Sequence, residues 1–168
     1  ASIISKINNG KRIVMVTDAG MPAISDPGEF IVRQVADAGL PIEVIPGPSA
    51  GITALVGSGI SSRRYLFEGF LPRKGAGRSN RLLEISNSPH TIIIYESPRR
   101  VHKTLKDLSQ YLGDSRRAAI ARELTKLHEE YIRDNVKNLI NIDISQKGEM
   151  AIVISEKPNL QNKLQVIE

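Results

Sequence analysis

The sequence predicts an α/β protein, and three observations carry that prediction. Short apolar runs rich in β-branched residues recur at residues 13–16, 42–45, 91–95, 118–121 and 150–154, the pattern of strands buried on both faces. Helical spacing of apolar residues fills the gaps, at residues 29–38, 49–58, 78–86, 99–111 and 131–140. Gly39 and Gly113 stand just beyond two of these helices, where a left-handed cap belongs. Alternation of the two patterns predicts α/β architecture with mostly parallel pairing.

In chain order, a helical run at residues 2–9 ends at Gly10 with no strand before it. An α/β domain rarely begins this way, and a chain trimmed at its N-terminus would explain it. Two strand–helix pairs follow, up to residue 58. Gly59-Ile60-Ser61-Ser62-Arg63-Arg64 then separates them from the rest, and Tyr65-Leu66-Phe67-Glu68-Gly69-Phe70 reads as a new strand. Residues 72–77 read as a mobile basic loop. A domain boundary is expected near residue 63, and residues 158–168 read as a polar tail.

Composition narrows the class. Hydrophobic residues make up 40% of the 168, enough for a real core, and a chain of this size buries roughly two-thirds of its unfolded surface. No apolar run approaches the ~18 residues of a spanning helix, and no signal peptide opens the chain. With no cysteine there is no disulfide framework, thiolate ligand or thiol nucleophile. A cytoplasmic protein without membrane or metal partners is the simplest reading. The charge of +5 matters through its placement: Arg63-Arg64, Arg73-Lys74, Arg78/Arg81, Arg99-Arg100/Lys103/Lys106 and Arg116-Arg117. Such clusters can neutralise phosphates, although each could also be a solvated helix face. Aromatic residues at 4% argue against a generic single-strand binder. An enzyme that docks on structured RNA fits better.

In open α/β sheets, ligands bind beyond the carboxyl ends of strands. Residues 17–28 follow the first run and hold two prolines and two glycines with Asp18 and Asp26, but no lysine or arginine. That charge is wrong for a phosphate cradle, and neither GxGxxG nor GxxxxGK[ST] occurs. NAD and ATP are disfavoured, and a ligand with ribose hydroxyls or a cationic centre is favoured. Asp26 could instead cap a helix beginning near Pro27. Pro46-Gly47-Pro48-Ser49-Ala50 is a rigid turn into a helix of small residues, which allows close packing on a sheet or entry of a flat ring.

Six ordered strings make the reading specific. Thr17-Asp18-Ala19-Gly20-Met21-Pro22-Ala23-Ile24-Ser25-Asp26-Pro27-Gly28 resembles the SDAGTPLISDPG signature of the tetrapyrrole methylase (class III) superfamily, in its ribosomal-RNA-modifying branch. Pro46-Gly47-Pro48-Ser49-Ala50, Phe67-Glu68-Gly69-Phe70-Leu71-Pro72 and Tyr95-Glu96-Ser97-Pro98-Arg99-Arg100 match in register. So do Ala121-Arg122-Glu123-Leu124-Thr125-Lys126 and Lys147-Gly148-Glu149-Met150. Thr17 and Met21 depart mildly from the signature's Ser and Thr. The family's opening strand, glycine-asparagine loop and acidic EDTR-type segment have no counterpart.

The resemblance implies a two-domain tetrapyrrole-methylase-like α/β fold. Residues 1–63 would be the second half of an incomplete N-terminal cofactor-binding domain, and 64–157 a C-terminal αβα domain with a mixed sheet. It implies S-adenosylmethionine in a cleft between the domains. Asp18, Ala19, Gly20, Met21, Ser49, Ala50, Thr53, Tyr95, Leu124, Met150 and Ala151 would contact it. The reaction implied is 2'-O-methylation of a cytidine ribose in 16S ribosomal RNA of the 30S subunit, by a homodimer. Glu96, Glu123 and Lys126 are candidates for the base that takes the hydroxyl proton, though each also suits a structural ion pair. Arg73, Lys74, Arg78, Arg99 and Arg100 are candidate RNA contacts. His90, His102 and His128 read as solvated. A tetrapyrrole C-methyltransferase or a non-catalytic RNA-binding module are the rival readings.

Overall fold

A computed structural model describes residues 3–157, so the tail expected at 158–168 lies outside the described residues. The chain divides into two compact units, Ala1–Ser49 and Ala50–Glu168. The helix at residues 50–58, placed by sequence before a boundary near 63, belongs to the second unit.

The first unit contains helices α1 (Ile3–Asn8) and α2 (Glu29–Asp37). Gly28 precedes α2 with φ 129°, a backbone that side chains rarely adopt, and a Cβ there would overlap Met15 Sδ. Glycine is therefore required on two counts. Asp26 does not cap α2. Its carboxylate accepts a hydrogen bond from the Thr17 hydroxyl instead. Beyond α2, Leu40 N–H donates to Val35 O and Gly39 takes φ 66°, the left-handed cap that the sequence predicts.

Two expected strands are corrected here. Among the described residues, 13–16 and 42–45 pair with no strand, and Val14, Val16, Val44 and Ile45 are exposed. A run with strand propensity becomes sheet only where a neighbour supplies N–H and C=O partners.

The second unit holds a five-stranded sheet built from β1 (Tyr65–Phe70), β2 (Thr91–Glu96), β3 (Arg117–Arg122), β4 (Glu130–Asn135) and β5 (Met150–Ile154), in the order β1-β2-β5-β3-β4. Only β1 and β2 are parallel, and the other three pairs are antiparallel. The sheet is mixed, as the family resemblance implies, and not mostly parallel, as alternation alone suggests.

The helix expected at 131–140 is likewise corrected. Residues 130–135 form β4, and only Val136–Leu139 is helical, as α6. Tyr131 and Ile132 pair with Ala121 and Ile120, and cross-strand packing of aromatic and β-branched residues outweighs a marginal helical period.

Alternation along the strands builds two layers. Ile92, Ile94, Ile120, Ile152 and Ile154 face a large core closed by α4 (Ala76–Asn87), α5 (Val101–Leu112) and α6. Ile93, Ala121, Ala151 and Val153 face a smaller core under α3 (Ala50–Ser58). Helix α3 buries Gly51, Ala54, Leu55 and Ser58, so small residues bring its backbone close to the sheet.

Candidate functional site

Both β2 and β3 run antiparallel to β5, and β1 runs parallel to β2. The carboxyl ends of β1, β2 and β3 therefore share one edge of the sheet with the start of β5, and Glu96 and Arg122 both lie opposite Met150. Seven sequence-predicted residues gather along this edge: Tyr95, Glu96, Glu123, Leu124, Lys126, Met150 and Ala151. They are far apart in sequence, and only strand order brings them together.

Tyr95 is the best-held aromatic of this edge. Gly51 N–H in the first turn of α3 donates to Tyr95 Oη at 2.9 Å. The rings of Phe67 and Phe70 pack edge-on against Tyr95 at 5.0 and 5.7 Å. A Cβ on Gly51 would lie 3.3 Å from the Phe67 ring and 3.4 Å from Tyr95 Oη, so glycine sets the approach of α3. Across the sheet Tyr95 neighbours Ala151, which neighbours Ala121; small side chains follow the ring. Leu124 packs at the margin of this layer. Met150 faces the opposite layer, so its side chain is turned away from α3. Thr53 presents its carbonyl to Tyr131 Oη at 3.0 Å.

Glu96 is 2% exposed and fully engaged. Its Oε1 accepts from Ser97 N–H at 2.8 Å and pairs with Arg100 Nε at 3.2 Å. Its Oε2 accepts from the Thr104 hydroxyl at 2.5 Å. Glu123 lies in a loop where it takes φ 49° and Thr125 φ 65°. Its Oε1 accepts from Lys126 Nζ at 3.0 Å and Glu149 N–H at 2.9 Å, and Lys126 Nζ also reaches Glu149 Oε2 at 2.9 Å. A Cβ on Gly148 would overlap the Glu123 carboxyl, so this approach needs glycine there. The hydrogen bond from Lys126, then that from Glu149 N–H, holds the Glu123 carboxyl below its usual range. Glu149, then Glu123, holds the Lys126 ammonium above its own. At neutral pH the first is a weak base and the second carries its proton, and neither state suits taking a hydroxyl proton.

This cluster has a pH signature. Glu123 contributes stability above its unfolded pKa and loses it as pH falls through the lower folded value. Lys126 contributes below its unfolded pKa and loses it as pH rises through the higher folded value. Glu123→Gln is expected to flatten the acid limb of a urea-midpoint-versus-pH curve. An unchanged limb refutes the pairing.

The predicted basic residues divide into two groups. Arg73, Lys74 and Arg99 are exposed. Arg78 is 4% exposed, and its guanidinium binds Asp107 Oδ2 at 2.8 Å, the Pro72 carbonyl at 3.0 Å and Thr104 Oγ1 at 2.9 Å. Arg78, expected as a phosphate contact, is thus turned inward on these three partners. Arg100 is partly buried between Glu96 and the Leu71 carbonyl, and Arg81 is tied to Glu68 and Glu84.

In the first unit, the loop at residues 17–28 lies against the turn at 46–48. Gly47 N–H points at Met21 Sδ at 3.1 Å, and a Cβ on Gly20 would be 3.4 Å from the Pro48 carbonyl. Ala23 and Ser25 join Gly20 and Gly28 at positive φ. Such backbone is held against strain of order 1 kcal/mol or more per non-glycine residue, a frequent mark of ligand-binding loops. Asp18 and Ala19 are exposed. Sequence reasoning missed Thr104 and Glu149, while Gly51 stood among the small residues expected to allow close packing on the sheet. Thr104 carried no signal in the sequence. Among the described residues no cluster of His, Cys, Asp or Glu could hold a metal ion, and no helix is long and apolar enough to cross a membrane.

The profile of the tetrapyrrole (corrin/porphyrin) methylases matches residues 1–140. A protein of Mycobacterium tuberculosis named ribosomal RNA small subunit methyltransferase I is 47% identical over 138 residues, 82% of this chain and 48% of that protein. Proteins of the same name from Haemophilus influenzae and Thermotoga maritima are 41% and 40% identical, covering 95% and 92% of this chain and 58% and 70% of theirs. The chain spans about half the length of the first of these relatives. Among solved structures, the methyltransferase CobJ superposes with a TM-score of 0.66 at 16% identity, covering 91% of this chain and 68% of its own. Cobalt precorrin-4 methyltransferase superposes with a TM-score of 0.64 at 17% identity, over 90% and 67%. At such identities these two speak for the fold alone. The chain belongs to the tetrapyrrole (corrin/porphyrin) methylase family, alongside relatives named ribosomal RNA small subunit methyltransferase I.

Proposed function

We propose that the whole protein is an S-adenosylmethionine-dependent methyltransferase that modifies small-subunit ribosomal RNA at a cytidine 2'-oxygen of the 16S chain. The observation that carries this reading is 40–47% identity to relatives of that name, sustained over 138 residues or more. The residues fit the cofactor's chemistry: an exposed carboxylate in a loop without cations, and a tyrosine fixed at a strand end by the Gly51 N–H. S-adenosylmethionine supplies a methyl group on a cationic sulfur. Asp18, Ala19, Gly20 and Met21 are its proposed contacts in the first loop. Ser49, Ala50, Thr53, Tyr95, Leu124 and the backbone of Met150 and Ala151 are the others.

The chain's own residues then orient and exclude. Tyr95 is locked by Gly51, Phe67 and Phe70, and alignment of donor with acceptor can lower a barrier by several kcal/mol. Glu123 and Lys126 fix the loop after β3, and Glu96 fixes the loop after β2. We assign the proton-accepting role to none of these three. Arg73, Lys74, Arg99 and Arg100 are the proposed phosphate contacts. The protein is proposed to act as a homodimer in the cytoplasm, which light scattering of the full-length protein tests for assembly.

The deciding experiment is methyl transfer by the full-length protein to small ribosomal subunits, with mapping of the product. A single 2'-O-methylcytidine is expected, and methylation on a base, or none, refutes the reading. Arg73→Ala with Lys74→Ala is expected to weaken RNA binding and lower its logarithmic salt slope by about 1 for each phosphate no longer neutralised. An unchanged slope removes these two residues from the interface.

A further inference from the structure

Glu96, Thr104 and Arg78 form a buried polar relay beneath the loop that carries Arg73 and Lys74. The Thr104 hydroxyl donates to Glu96 Oε2 at 2.5 Å and accepts from Arg78 Nη2 at 2.9 Å. Its single proton goes one way and its lone pair the other, so the hydroxyl joins an acid to a guanidinium that do not touch. Both ends of the relay reach the same short segment. Arg78 Nη1 donates to the Pro72 carbonyl at 3.0 Å, and Arg100, held by Glu96, donates to the Leu71 carbonyl at 3.0 Å. Asp107 steadies the remaining side of Arg78 at 2.8 Å. Glu96, Thr104 and Arg78 are each 4% exposed or less.

The clamped segment forms one wall of a cleft of about 470 Å³ lined by Phe70, Leu71, Pro72, Arg73, Glu96, Ser97 and Arg100. The cleft has the size of a ligand site and presents an exposed aromatic ring, Phe70, beside two guanidinium groups. Resting on the RNA-modifying function proposed above, we infer that Thr104 is a positioning residue for RNA. Through Glu96 and Arg78 it fixes the carbonyls of Leu71 and Pro72, and so sets where Arg73 and Lys74 meet the phosphates of one nucleotide seated against Phe70. Thr104 touches no substrate, and its effect passes entirely through the loop.

The test uses the full-length protein with three variants. Thr104→Val keeps the shape and removes the relay, Thr104→Ser restores it, and Arg73→Ala/Lys74→Ala removes what the relay positions. Hydrogen exchange of the Arg78 and Ser79 amides, which donate to the Gly75 carbonyl at the end of the clamped loop, reads the clamp without any RNA. Thr104→Val is expected to speed it at least several-fold and Thr104→Ser to restore it, whatever the substrate. Thr104→Val is further expected to raise KM for small subunits about 5–10-fold, with kcat and S-adenosylmethionine affinity unchanged. In the Arg73→Ala/Lys74→Ala background the same substitution is expected to add nothing, as couplings through one shared element require. Unchanged exchange overturns the clamp. Faster exchange with an unchanged KM, or an effect additive with the loop variants, overturns the positioning role. A fall in kcat and cofactor affinity together shows general loosening and overturns it as well. If the wild-type protein transfers no methyl group to RNA while exchange responds as expected, the functional reading fails and the clamp stands, without RNA as its purpose.

Discussion

Glu96→Ala is expected to destabilise the second unit by about 3–5 kcal/mol, the range for removing one partner of a buried charged network. The substitution deletes a carboxylate whose side chain has no exposure and strands three donors. Those are the Ser97 N–H, the Thr104 hydroxyl and one face of Arg100. A buried donor left alone costs about 1–3 kcal/mol, so the three stranded donors reach the lower end of the range. Glu96→Gln keeps the volume and one acceptor oxygen and is expected to cost less, about 2 kcal/mol. Urea denaturation compares the two. Equal losses would mean that the carboxylate charge, and neither the volume nor the one retained acceptor, carries the stabilisation. A loss below about 1 kcal/mol in both would refute the network as a stabilising element.

Gly57→Ala is expected to lower stability by about 2 kcal/mol and to loosen α3 from the sheet. A Cβ on Gly57 would overlap Tyr131 Cζ, inside the ring, so helix or strand must move. Overpacking of this kind costs about 1–3 kcal/mol. The same shift pulls Tyr131 Oη from the Thr53 carbonyl, a further ~1 kcal/mol, and disturbs Arg133, whose guanidinium donates to the Gly57 carbonyl. Better helix propensity of alanine returns about 1 kcal/mol. Tyr131→Leu in the Gly57→Ala background is expected to recover part of the loss, because it removes the clashing ring. Strict additivity of the two substitutions would refute the contact.

Much of the second unit is legible in the sequence. Residues 91–95, 118–121 and 150–154 are continuous apolar runs because these strands are covered on both faces, and they form β2, β3 and β5. The edge strand β4 does not announce itself, because Tyr131 and Ile132 have an exposed continuation in Arg133 and Asp134, and half-buried strands with charged ends show no clean period. Residues 13–16 and 42–45 carry strand-like composition but pair with no strand among the described residues, since composition states a preference and pairing needs a partner.

The candidate site divides in the same way. Motif strings place Tyr95, Glu96, Glu123, Leu124, Lys126, Met150 and Ala151 at strand ends, and strand direction gathers them on one edge. Sequence could not say that Arg78 and Arg99, both basic and near the same loop, have opposite fates. Arg78 lies in the first turns of α4 facing α5, where Asp107 and Thr104 receive it, while Arg99 stays in solvent.

By itself, then, the sequence determined the family, the α/β class, the strand-end loops and the residue types available to them, because these depend on local pattern and ordered motifs. Tertiary structure alone decided which charged groups are free to act. A guanidinium or carboxylate has the same chemistry wherever it stands in the chain, and only burial and partners settle whether its hydrogen bonds are already made. At Glu96, Glu123 and Arg78 hydrogen bonds within the fold are already made, so each of the three helps to hold the loops around it.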